Sequence, residues 1–278
     1  MKRRWRRVLA VVLLIAAVPV AYRVLAVYKF RPGHCSARPH VEVSPTYPQR
    51  LVVMTYNIEG HAELVRDRHI DEIAQTITRH RPDIVAINEA HRGTWQARFR
   101  DQVGRLQART GMHAAFGPSF SLAGGEFGNA ILTRGTIVST HLYPLPGTGE
   151  PRSLLEAVIR INGGTVAFFA THLAAWGTFS SGARTAQLQC ILDHVAASEH
   201  PPIVAGDLNA APDADEVRAF LARSELFEVL GTPQPTHRVR EVQLDHIVIG
   251  GGWQVVSARV LDDGPSDHRP VIAELERK

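Results

Sequence analysis

The sequence predicts an α/β sandwich of mixed sheets, and three observations predict it. Apolar runs of strand length recur along most of the chain. Three helix-like segments separate some of them, and turns such as Asn162-Gly163-Gly164 join others directly. A purely parallel doubly wound sheet would alternate strand and helix throughout, so the hairpins demand antiparallel neighbours. With 278 residues, 45% hydrophobic and 21% charged, the chain can bury one large core.

The N-terminus reads as a leader. Lys2, Arg3, Arg4, Arg6 and Arg7 precede the apolar run 8–22, and a second apolar piece, 24–28, follows Arg23. Fifteen helical residues rise only ~22 Å, so the segment spans a bilayer only if Arg23 snorkels and the second piece joins in. The expectation is a signal peptide or membrane anchor over 1–30, a Pro-rich spacer over 31–50 and one folded domain over 51–278. The basic cluster stays on the cytoplasmic side, which places that domain outside the cytoplasm, in the periplasm or the extracellular space.

Net charge carries the same division. The whole chain is +4, but residues 1–31 hold eight Lys/Arg and no acids, leaving 23 basic against 27 acidic residues, about −4 (23 − 27). An acidic balance argues against a general nucleic-acid binder, which is usually basic. Two cysteines, Cys35 and Cys190, exclude a disulfide scaffold and leave a single bridge or two free thiols open; a helix drawn over 182–197 puts Cys190 opposite its apolar stripe.

Within the domain, 51–57 reads as a buried strand ending on Asn57. The helix 66–81 carries Ile70, Ile73, Ala74 and Ile77 at helical spacing and stops at Pro82. A second strand, 83–89, ends on Glu89. Residues 94–110 suggest another helix, 118–128 a Gly-rich loop, and 129–172 a meander. The helix 182–197 leads into the strand 202–209, and strands at 242–249, 254–261 and 271–275 close the chain.

Polar groups terminate one apolar strand after another: Asn57, Glu89, His172, Asp207 with Asn209, Asp245 with His246, and Asp267 with His268. One strand-end carboxylate is an ordinary turn residue. So many, converging on one rim of a packed sheet, would need a cation or hydrogen-bonding partners. Asp, Glu and Asn without Cys favour Mg²⁺, with Mn²⁺ or Ca²⁺ as alternatives, over zinc. An Asp beside a His fixes the imidazole tautomer and favours its cation, which suits a phosphate. Asn209 could instead cap a helix after Pro212, His172 could be a core histidine, and His246 reads as structural.

These segments resemble the endonuclease/exonuclease/phosphatase superfamily, whose fold is that of deoxyribonuclease I. The resemblance rests on Met54-Thr55-Tyr56-Asn57, Ile87-Asn88-Glu89, Gly128-Asn129-Ala130-Ile131-Leu132, Thr171-His172-Leu173, Gly206-Asp207-Leu208-Asn209, Leu244-Asp245-His246-Ile247 and Ser266-Asp267-His268-Arg269-Pro270, in the family's order. It implies a four-layered α/β sandwich of two mixed, mainly antiparallel sheets flanked by helices, with 51–278 as the catalytic domain. It also implies a Mg²⁺-dependent phosphoesterase in which water attacks phosphorus in line. Glu89, Asp267 and Asn57 would hold the metal, and Asp207 would orient and deprotonate the water with Asn209 beside it. His268, oriented by Asp245, would contact the phosphoryl group, and His172 would bind phosphate or help the leaving group. The usual Gln before the metal Glu is Asn88 here, and Glu59 stands two residues after Asn57 as a loop residue or an extra ligand.

The substrate expected is a phosphate ester: a phosphodiester in DNA or RNA first, with a sphingomyelinase-like phospholipase or phosphatase at the membrane surface as the alternative. Trp176 and Phe179 in the loop 174–181 would stack a base or enter a lipid interface. A catalytically inactive binding module on the same fold is the reading from another class, and every expected catalytic position is filled. Arg152 and Arg160 are further phosphate contacts or surface ion pairs. The protein is expected to be a monomer that meets the membrane through its N-terminal segment.

Overall fold

The computed structural model describes residues 46–147, 149–175 and 180–278. The leader, residues 31–45 of the spacer, and Trp176 and Phe179 lie outside the described residues. Among the described residues no helix is long and apolar enough to cross a membrane.

Among the described residues twelve strands form two six-stranded sheets, ordered β11-β12-β1-β2-β4-β3 and β5-β6-β7-β8-β10-β9. In the first, β1 is Arg50–Asn57, β2 Ile84–Arg92, β3 His113–Leu122, β4 Gly125–Thr133, β11 Trp253–Val260 and β12 Val271–Arg277. In the second, β5 is Thr136–Leu145, β6 Arg152–Ile161, β7 Gly164–His172, β8 Ile203–Asp207, β9 Phe227–Glu228 and β10 Asp245–Ile249. Each sheet has one parallel pair at its centre, β1 with β2 and β7 with β8, and every other pairing is antiparallel. The carboxyl ends of β1, β7 and β8 deliver Asn57, His172 and Asp207, and β2 delivers Glu89 three residues before its end rather than at it.

Side-chain alternation builds the layers. Leu51 and Val53, Ile84 and Ala86 face inward against Ala157, Ile159, Phe168, Ala170, Ile203 and Ile247 of the other sheet. The opposite face, Met54, Tyr56, Val85 and Ile87, is covered by helices α1 (His69–His80) and α2 (Gln102–Thr110) through Ile70, Ile73, Ile77, Val103 and Leu106. Phe169, Val204 and Val248 pack under α3 (Ser180–Ala196) and α4 (Asp215–Ser224). The result is helices, sheet, sheet, helices. Each fully buried Leu, Ile or Phe contributes about 1.5–3 kcal/mol, so the apolar layers dominate the stability.

Three local expectations need correction. The helix expected over 94–110 is broken: Thr94 caps a 3₁₀ turn at Trp95–Ala97, Arg98 and Phe99 take positive φ (53° and 59°), and α2 starts only after Asp101, whose side chain accepts from Gly104 N. The loop expected over 118–128 is a hairpin of β3 and β4, turning at Ala123 (φ 43°) and Gly124 (φ 89°), with a bulge after Pro118 that absorbs the proline. Cys190 is buried among Leu188, Ile191 and Val195 rather than opposite them, and it is disulfide-bonded; Cys35 lies outside the described residues.

Candidate active site

The strand ends converge. Asn57 Nδ2 donates to Glu89 Oε1 at 3.1 Å and to Asp207 Oδ2 at 3.0 Å, joining carboxylates from the two sheets. Its Oδ1 accepts from Glu59 N at 3.1 Å. Asn57 is fully buried, so its amide serves first as a bridge between acids.

Glu89 sits at a bulge in β2, where the pairing with β4 shifts between Ile87 and Ala90, and its φ is 60°. A bulge re-aims one side chain at the cost of a strained backbone, and here it turns the carboxylate to the rim. Burial alone would raise the Glu89 pKa, but His61, His172, Asn57 and His268 hold it far below the usual carboxylate range. His61, exposed at the mouth, lies 3.8 Å from both Glu89 and Glu59, and Glu89, Glu59 and Asp267 together raise its pKa against the effect of burial.

Asp207 is the hub. Its Oδ1 accepts from Asn209 N at 2.8 Å, and its Oδ2 lies 3.5 Å from His172 Nε2 and 3.8 Å from His268 Nε2. Burial and the neighbouring Asp245 push its pKa up to about 6, against His268, Asn209 and Asn57. Asn209 takes φ 51°, which Asn tolerates, and its Nδ2 donates to Leu173 O at 3.1 Å. It caps no helix: α4 begins at Asp215 after Ala214.

His268 Nδ1 meets Asp245 Oδ2 at 2.7 Å, so Nε2 is left facing Asp207. Burial opposes charge on this ring, yet Asp245, Asp207 and Asp267 push its pKa up to about 10, making it an imidazolium at neutral pH. The turn that carries it is pinned from below: Ser266 Oγ donates to Asn57 O at 2.7 Å and accepts from His268 N at 3.1 Å. Asp267 is half-buried, and its backbone N donates to Glu59 Oε2 at 3.3 Å. Glu59 is therefore tied to the Asp267 turn.

His172 is buried, and desolvation followed by the charge of Arg152 keeps it neutral. Its Nδ1 has no partner among the described residues. Arg152, also buried, pairs with Glu150 at 3.0 Å through one nitrogen and leaves Nε and Nη1 without partners among the described residues. Arg184 and Gln187 fasten the segment after His172: Arg184 pairs with Glu216 at 2.8 Å, and Gln187 accepts from Ala174 N and donates to Pro146 O. His246 is a structural link, between Glu228 at 2.6 Å and Ala210 O at 2.9 Å. Among the residues that sequence reasoning missed, His61 and His237 border the site. No spacing pointed to either: His61 lies in a short 3₁₀ turn, Gly60–Leu64, and His237 in a loop, and each is aimed at the site by contacts with other segments.

The model of the endonuclease/exonuclease/phosphatase family matches residues 54–268. The chain belongs to that family. Among solved structures, a family protein from Beutenbergia cavernae is 26% identical with a TM-score of 0.70, over 82% of this chain and 72% of that one. A mannosyl-6-phosphatase from Bacteroides thetaiotaomicron has a TM-score of 0.65 at 20% identity, covering 81% and 99%. TDP2 of D. rerio, complexed with a single-strand DNA product, has 0.66 at 18% identity, covering 82% and 99%. No curated protein matches the chain. Family members are generally phosphoric ester hydrolases, typically dependent on a divalent metal, and the two-sheet sandwich of this chain is their fold.

Proposed function

We propose that this protein is an exported, divalent-metal-dependent phosphodiesterase in which Asp207 deprotonates the attacking water. The observation that carries the reading is the chain Asp245–His268–Asp207, a buried carboxylate, an imidazolium and a second carboxylate at 2.7 Å and 3.8 Å. A base with a pKa of about 6 is largely ionised at neutral pH yet still able to accept a proton. Water oxygen forms the new bond to phosphorus, its proton passes to Asp207, and the ester oxygen opposite departs. His268 lies close enough to donate to a phosphoryl oxygen as charge builds, and neutral His172 offers an N–H in place of a full proton.

The donor set fits a hard cation. Glu59, Glu89 and Asp267 all act on one exposed imidazole, His61, so carboxylate charge is concentrated at that mouth. Glu89 and Asp267 would hold Mg²⁺ or Mn²⁺, with Asn57 joining through Oδ1. When bound, the ion would neutralise charge developing on the phosphate.

The substrate class proposed first is a nucleic-acid phosphodiester, in keeping with the DNA product in the TDP2 structure. A second reading, a monoester phosphatase, draws on Arg152, whose unpartnered nitrogens beside His172 suit the extra charge of a terminal phosphate. Export is supported by the basic, apolar leader and by the disulfide-bonded state of Cys190. The test assays the protein with Mg²⁺ and with EDTA on bis(4-nitrophenyl) phosphate, 4-nitrophenyl phosphate, single-stranded DNA, RNA and sphingomyelin. Metal-dependent diester cleavage is expected. Activity on the monoester alone would install the second reading, and activity in EDTA equal to that in Mg²⁺ would overturn metal dependence.

A further inference from the structure

We propose that His237 is a second imidazole donor to the phosphoryl group, set beside His268 and barred by its own turn from binding the metal. This rests on the phosphoesterase reading above and adds a substrate contact to it.

His237 lies in the loop between β9 and β10, and its ring packs against His268 with centroids 4.8 Å apart. The loop is bonded to the Asp267 turn. Arg238 N donates to Asp267 O at 2.8 Å, Arg269 N to Thr236 O at 2.6 Å, and the Arg238 guanidinium to Ser266 O at 3.1 Å. His237 is buried and its position is fixed.

The tautomer follows from its neighbours. Val239 N and Arg240 N both donate to His237 Nδ1 at 3.2 Å, so that nitrogen is an acceptor and Nε2 carries the proton. Nε2 lies 4.0 Å from Asp267 Oδ2, too far for a direct bond. Nitrogen and oxygen donors of His237, Asp267 and His268 lie within 4.8 Å of one another, a cluster with the outline of a metal site. Imidazole chemistry rejects that role. Coordination at Nε2 would move the proton to Nδ1, where two backbone N–H groups already point. What His237 can do is donate Nε2–H to an oxygen placed between it and His268.

Two variants separate this role from turn-capping. Asn at 237 puts an acceptor where Nδ1 is and keeps the turn, while Gln puts a donor near Nε2 and loses the cap. With bis(4-nitrophenyl) phosphate at saturating Mg²⁺, His237→Asn is expected to lower kcat/KM about tenfold or more with its melting temperature nearly unchanged. His237→Gln is expected to recover at least about threefold of that loss despite lower stability. Full activity in His237→Asn, or a Gln variant worse than the Asn variant, would overturn the proposal. The ring ¹⁵N spectrum of the full-length protein reads the tautomer without catalysis. It should show Nε2–H at His237, with that proton retained on addition of Mg²⁺ or Zn²⁺ and its signal shifted by inorganic phosphate. An Nδ1–H ring, or loss of the Nε2 proton when metal is added, would refute it. If the wild type cleaves no phosphate ester, the broader reading fails, while the spectrum still decides the donor and its contact with phosphate.

Discussion

Asn88 Oδ1 accepts the backbone N–H of Asp207 at 3.0 Å, across the gap between the two sheets. The same side chain donates to Asn129 Oδ1 at 2.9 Å and to Thr171 O at 2.8 Å. Asn129 in turn donates to Ser153 O, so one buried amide chain ties β2 and β4 to β6, β7 and β8. Glu89 and Asp207 are thereby set against each other by a residue that reaches neither metal nor substrate.

Replacing Asn88 by Ala leaves the Asp207 amide and the Thr171 carbonyl buried without this partner, at about 1–3 kcal/mol for each group that stays unsatisfied. Urea unfolding should show a loss of about 2–4 kcal/mol. Activity should fall even in the fraction that stays folded.

Asp245→Asn removes the charge that does most to keep His268 protonated. The ring pKa, pushed up to about 10 in the wild type, should fall toward the ordinary imidazole value, read by NMR titration. The pH profile of kcat/KM should have limbs near 6, where Asp207 protonates, and near 10, where His268 loses its proton. In the variant the upper limb should move down, with a kcat lower by about 10²–10³-fold.

Away from the reacting groups, Glu228 and His246 set a pH-dependent part of the stability. Burial works against charge on His246, but Glu228 overrides it and raises the pKa. A raised imidazole pKa contributes stability that is complete below the unfolded value and is lost as pH rises through the folded one. Wild type should therefore exceed Glu228→Gln by about 1–3 kcal/mol in mildly acidic solution, with the gap closing in alkali. Urea midpoints across the pH range measure it.

Gly206 precedes Asp207 at φ 152°, and a methyl group there would overlap the Thr171 carbonyl oxygen in the parallel pair β7–β8. Gly206→Ala should cost about 3 kcal/mol or more and displace Asp207. A melting temperature equal to wild type would show that the strands can part without loss.

The mixed-sheet sandwich, most of its strands and the identity of the converging side chains were legible in the sequence, because polar residues closing apolar runs mark strand ends. Asn57, Glu89, His172, Asp207, Asn209, Asp245 and His268 all reach one region, with Asp267 at its edge. Illegible were the features set by backbone shape. The bulge at Glu89, the paired positive φ values at Arg98 and Phe99, and the proline-bearing hairpin of β3 all run against local propensity. His61 and His237 were illegible for a different reason: a histidine in a short 3₁₀ turn or a loop shows no periodicity, and contacts with other segments aim it. Asn88 reads in sequence as a tolerated replacement beside a ligand, and only the folded sandwich reveals its four-strand reach.

The two central parallel pairs make the site a vernier. Half its scale is engraved on β1 and β2, half on β7 and β8, and chemistry is possible only where the marks coincide. Sliding one sheet over the other by a fraction of a strand spacing would leave the two helix-covered outer cores intact and every residue present, yet separate Asn57 from Asp207. Heat or core substitution should therefore silence this protein before it melts, and lost turnover would be the earliest gauge of slip between its halves.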